Sequence, residues 1–235
     1  MWPALGIPTL AALMFLLLTG LWAGRDRHRW IAGLILGLLW FLSTGLLAWT
    51  GVLQRFDTTP PPIIVILGLV LVIAVAIGLS PLGKRFTHRG IAILLGVQSF
   101  RFPLELLMDQ AATDAVMPVE LSFRGYNLDI ITGITAAALA MFIGLGVHIP
   151  TWMIWIWNLF GMTCLGVIVF VAVSSSPMIK LFGENPEHVN TWVLFLPYVW
   201  LPSVLVPIAL FGHVVVTRKL MSPPNRAQSI RISPR

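Results

Sequence analysis

The chain has 235 residues, 57% of them hydrophobic and only 10% charged, with a mean hydropathy of +0.90. Soluble domains carry about 25% charged and about 45–50% apolar residues, so a water-soluble fold is excluded and lipid must be the solvent. The formal charge of +6 would suggest nucleic acid in a soluble protein, but here loop cations that set membrane topology explain it.

A spanning helix needs about 20 mostly apolar residues. Such runs occur at 4–22, 30–50, 63–82, 90–108, 129–148, 152–174 and 191–216. The expected fold class is therefore all-α, a polytopic seven-transmembrane-helix bundle. The first run has no positive charge ahead of it and GRDRHR after it, the pattern of a retained helix with its N-terminus outside. On that assumption Arg25, Arg27, Arg29, Lys84, Arg85, Arg89, Arg218, Lys219, Arg226, Arg231 and Arg235 are cytoplasmic, and only Arg55, Arg124 and Lys180 are external. This segregation is the positive-inside rule, with the C-terminus cytoplasmic. The expected organisation is one transmembrane unit over 1–217 and a basic, disordered cytoplasmic tail over 218–235.

The external loop 109–128 mixes Met117, Val119, Leu121 and Phe123 with charges and is expected to pack against the helices. TTPPP at 58–62 reads as a rigid turn into the third span. Span four carries Gln98, Arg101, Glu105 and Asp109 at spacings of three and four, one helical face. The stripe is expected to start near midplane and open outward. A charge at midplane costs about 2.5–3.5 kcal/mol on insertion scales, so Arg101 must pair with Glu105 or with a group on another helix. Pro103 frees the Ser99 carbonyl and predicts a kink.

At the external start of span five, Asn127 and Asp129 are candidates to join the stripe, although a carboxylate there also suits helix capping. Asn158 in span six is expected to make an interhelical hydrogen bond. Span seven contains Pro197, Pro202 and Pro207, which predict a bent, cavity-lining helix. His213, with His28, His88 and His148, reads as an interfacial histidine. None of them forms a metal motif, and one cysteine, Cys164, leaves no cysteine-based metal site or internal disulfide framework. Gly144, Gly146, Gly161 and Gly166 suggest close helix contacts, and most tryptophans fall at span ends as an aromatic belt.

The segments FRFPLE (100–105), MPVELSFRGYNLDIITGITA (117–136), IWN (156–158), SSP (175–177) and FLPYVWLPSVLVPIALFGH (195–213) resemble a family of small bacterial multi-pass membrane proteins. The likeness covers spans four to seven, with Arg124 where an acid is usual before Gly125. It implies a bacterial inner-membrane setting and no particular activity or cofactor. No lysine lies in span seven to hold a retinal, and no nucleophile, Walker, haem or dinucleotide motif is present.

Three functions stay open. The first is small-molecule or ion transport, or ligand binding, through a polar cavity lined by Gln98, Arg101, Glu105, Asp109, Asn127 and Asp129. The second is an accessory or structural subunit of a larger membrane complex, and the third a membrane enzyme on a lipid-like substrate. The partners implied are membrane lipid and either another membrane protein or a second copy of the chain. No nucleic acid is expected.

Overall fold

In a computed structural model that describes residues 2–222, the apolar runs fold as helices and no strand occurs among the described residues. The α-helices are α1 (Trp2–Ala23), α2 (Arg27–Trp49), α3 (Pro62–Leu79), α4 (Pro81–Thr87), α5 (Ile91–Gln98), α6 (Arg101–Thr113), α7 (Asp129–Gly144), α8 (Thr151–Ser174) and α9 (Val206–Met221). Six stretches are long and apolar enough to cross a membrane: α1, α2, α3, the α5–α6 pair over Ile91–Thr113, α8, and Leu201–Met221. α7 is apolar but has only 16 residues, about 24 Å of rise. Many leucines and isoleucines on α1, α2 and α3 face outward, an apolar surface matched by lipid.

Local chemistry fixes the helix ends. Asp26 caps α2 by accepting the backbone N–H groups of His28 and Arg29. Pro62 opens α3, where a missing N–H costs nothing, and Pro81 opens α4 in the same way. Span four is broken at Ser99 and Phe100, just before Pro103. The Ser99 carbonyl, freed by Pro103, accepts the Phe102 N–H at 3.0 Å, so the kink expected there is internally satisfied.

Span seven departs from its expected bounds. Residues 195–199 are bend and turn, a π-turn covers Leu201–Leu205, and α9 begins only at Val206. Pro207 sits in the first turn of α9 and leaves the Ser203 carbonyl without its helical donor; the Trp40 indole N–H supplies one from α2 at 3.0 Å. Arg218 and Lys219, assigned to the tail by sequence, are helical here and hold α3 and α4. Arg218 Nη1 donates to the Gly78 and Ser80 carbonyls at 3.0 and 2.7 Å, and Lys219 Nζ to the Thr87 carbonyl at 2.7 Å. The rest of the expected tail, from position 223, lies outside the described residues.

The bundle has a basic end, formed by the α1–α2 turn, α4 and the end of α9, and an opposite end of longer connections. The core runs along α9, which packs on α3, α5 and α8, while α7 packs on α5, α6 and α8. Gly133 of α7 lies so close to α6 that a Cβ would come within 2.3 Å of the Phe102 nitrogen. Gly161 likewise admits the His213 ring, whereas Gly144, Gly146 and Gly166 face open space and make no close helix contact.

Candidate functional site

The site is built on the kink of span four. Arg101, the first residue of α6, lies near the centre of the Ile91–Thr113 stretch, and its side chain is only 1% exposed. Its guanidinium is held from three elements. Nη2 forms an ion pair with Asp129 at the start of α7 and donates to the Gly161 carbonyl of α8 at 3.3 Å. Nη1 lies 2.7 Å from Nε2 of His213 on α9.

The histidine state follows from its neighbours. Asn158 Nδ2 donates to Thr217 Oγ1 at 2.8 Å, so Asn158 Oδ1 accepts from His213 Nδ1–H at 2.9 Å. Nε2 then accepts from Arg101, and the imidazole is the neutral Nδ1–H tautomer. Trp157 stacks on it with ring centroids 5.2 Å apart. Thr217, half-buried towards the basic end, donates in turn to the His213 carbonyl at 2.9 Å.

On the other side of Arg101, Asn127 joins the two carboxylates. Its Oδ1 accepts the Asp129 backbone N–H at 3.1 Å, and its Nδ2 donates to Glu105 Oε1 at 2.8 Å and to the Leu121 carbonyl at 3.1 Å. A hydrogen-bonded chain therefore runs from Thr217 through Asn158, His213, Arg101, Asp129 and Asn127 to Glu105. Asp129 reaches Arg101 at mid-span because residues 116–128 fold back into the bundle, burying Met117, Leu121, Ser122 and Asn127. Non-helical backbone at that depth needs internal partners, and turns supply them: Leu121, Ser122, Gly125, Tyr126 and Asn127 all donate their N–H within the segment.

The stripe read from sequence is thus partly realised. Gln98, Arg101, Glu105, Asn127 and Asp129 are all buried. Gln98 stands apart from the chain, donating to the Ala209 carbonyl at 3.2 Å and lying over Gly212. Asp109 turns to the surface and pairs with Arg124, which also bonds Thr113, so the stripe ends at Glu105 and does not open outward through Asp109. Arg101 pairs with Asp129, not Glu105, and Asp129 is an ion-pair partner more than a cap. His213 is a core residue, 0% exposed, not an interfacial one. Its offset of four from Thr217 was the available sequence signal.

Two polar atoms here have no protein partner: Arg101 Nε and Glu105 Oε2. Both residues line a cavity of about 30 Å³ shared with Asn127, Asp129 and Leu205. A water needs about 10–15 Å³ measured this way, so the cavity takes one or two waters and no larger molecule. A second polar cluster lies nearer the opposite end, where Glu120 Oε1 is 2.6 Å from His188 Nδ1 and ties segment 116–128 to segment 175–190. Among the described residues no group of three or more His, Cys, Asp or Glu could hold a metal ion.

Comparison with protein-family models, curated proteins and solved structures gives no match.

Proposed function

We propose that the chain is a seven-span protein of the bacterial inner membrane, N-terminus outside and C-terminus cytoplasmic, that passes protons by way of Glu105 and the small cavity beside Arg101. The segregation of cations to one end supports the orientation, and α7, preceded by a segment that re-enters the bundle, supports a seventh crossing. The observation that carries the proton reading is the pair of unpartnered atoms, Arg101 Nε and Glu105 Oε2, on two residues that line a cavity sized for water. A transported solute larger than water has no room there. One guanidinium balances one of the two carboxylates, and Glu105, which touches no cation, needs a proton to leave the cluster neutral. Arg101 has donors only and keeps its protons, so the proton is carried by Glu105 and the small cavity that both residues line, while Arg101, Asp129 and Asn127 hold the carboxyl group in place.

Vesicles containing the purified protein and an internal pH dye test this. An imposed pH step should collapse faster than in empty vesicles, and Glu105→Gln should slow that collapse at least about tenfold while the protein still inserts. Equal rates in wild-type and empty vesicles would remove the reading.

A second reading, an architectural or accessory subunit, draws on Arg101 bonding α7, α8 and α9 at once. It expects no flux, and loss of folding whenever the cluster is unbalanced.

A further inference from the structure

At the basic end, α2 and α3 diverge. α2 is held by α1, where Gly33 and Gly37 sit against Thr19 and Phe15, and by the indole bonds of Trp40 and Trp200 near residues 200–203. α3 instead packs along α9, with Gly78 against Val214. Between them lies a cleft of about 400 Å³, within the about 300–1,000 Å³ typical of small-molecule sites. Its walls are almost entirely apolar, including Phe15, Leu18, Val70, Ile73, Ile77 and Phe211.

Charge sets its mouth apart from an ordinary lipid-facing groove. Leu82 and Phe86 of α4 and Trp22 of α1 close the cleft at the basic end. On the same short elements, Lys84 and Arg85 of α4, Arg25 of the α1–α2 turn and Arg27 of α2 are exposed. The neighbouring cations are occupied: Arg29 pairs with Asp26, and Arg89 donates to the Leu21 carbonyl. Asp26 is the one acid on these elements, and it is engaged as the α2 cap. Four exposed cations therefore lie on the α1–α2 turn, α2 and α4, at the basic end of the apolar slot.

We propose that this cleft is a binding site for one anionic phospholipid of the surrounding membrane, acyl chain between α2 and α3 and phosphate drawn to the basic end that carries Arg25, Arg27, Lys84 and Arg85. The slot supplies burial for hydrocarbon, and juxtamembrane cations attract anionic headgroups from the same leaflet. The site is separate from the Arg101 chain and does not depend on what that chain does.

The test is native mass spectrometry of the full chain released from nanodiscs of palmitoyl-oleoyl phosphatidylglycerol and phosphatidylcholine mixed in equal amounts. Wild type should retain one phosphatidylglycerol, favoured at least about tenfold over phosphatidylcholine. Lys84→Gln/Arg85→Gln, which leaves the other basic residues to hold topology, should lose that preference while still retaining a lipid. Ile77→Trp, which fills the slot from α3, should lower retention of both lipids. Equal retention of the two lipids by wild type, an unchanged preference in Lys84→Gln/Arg85→Gln, or unchanged retention in Ile77→Trp would each overturn the assignment. So would a lipid-free dimer, which would give the cleft to a second copy of the chain.

Discussion

At the scale of single residues, Arg101 and Asp129 show how a charge survives far from water. Taking two charges out of water costs several kcal/mol per ion, and it is offset only when nearly every donor and acceptor is placed. Here Nη1 and Nη2 are placed, on His213, Asp129 and Gly161, and Nε is left to the small cavity. Removing one member strands the other. Arg101→Gln and Asp129→Asn should each lower stability in detergent by about 3–5 kcal/mol. The double variant should cost clearly less than the sum, a coupling of about 0.5–3 kcal/mol in thermal unfolding. Additive losses would mean that the two side chains do not act as a pair. His213 and Asn158 illustrate a different lesson. Neither carries a formal charge here, yet each fixes the other's donor pattern and so decides which face of the imidazole meets Arg101.

At the scale of elements, prolines account for the main differences between what the sequence foretells and what forms. Hydropathy alone places spans one to four and six closely, because each is a long apolar run with polar ends. It fails over 191–216, where residues 191–199 ahead of the π-turn are mostly apolar yet form a 3-10 turn, a bend and turns in place of α-helix. Apolarity reports burial, and buried irregular backbone is as apolar as buried helix when indoles such as Trp40 supply the missing donors. That later helix start carries His213 from the expected membrane edge to mid-span, which is why the periodicity of span four found Arg101 and Glu105 but not their partner. Asn127 and Asp129 were legible as polar residues at a helix start; that the start lies at mid-depth was not, since no local signal records a segment folding back. Glycine gives a test at this scale. A Cβ at Gly133 would meet the Phe102 backbone, which cannot rotate away, so Gly133→Ala should cost about 1–3 kcal/mol. At Gly166, inside α8, a Cβ meets nothing, and Gly166→Ala should be neutral or stabilising by up to about 1 kcal/mol. Melting temperatures of the two variants, measured in one detergent, should separate in that order.

At the scale of the whole molecule, the ends are chemically distinct. Arg218 and Lys219 clamp α3 and α4 at the basic end, while the Glu120–His188 contact joins the two long connections at the other. If the basic end is cytoplasmic, a fluorescent protein fused after the chain should glow and an alkaline phosphatase fused there should be inactive, with the reverse for a fusion in the 50–61 connection. Inverted results at both positions would turn the bundle over without altering its internal contacts.

The short α7 has a consequence for the bilayer itself. A hydrocarbon core is about 30 Å thick, and this helix offers about 24 Å, with Asp129 at one tip. If α7 crosses the membrane, the missing length on the Asp129 side must come from segment 116–128 or from a thinner bilayer, a mismatch that costs fractions of a kcal/mol per Å. The molecule should therefore melt higher in short-chain than in long-chain phospholipid, and where membranes vary in thickness it should partition towards the thinner regions.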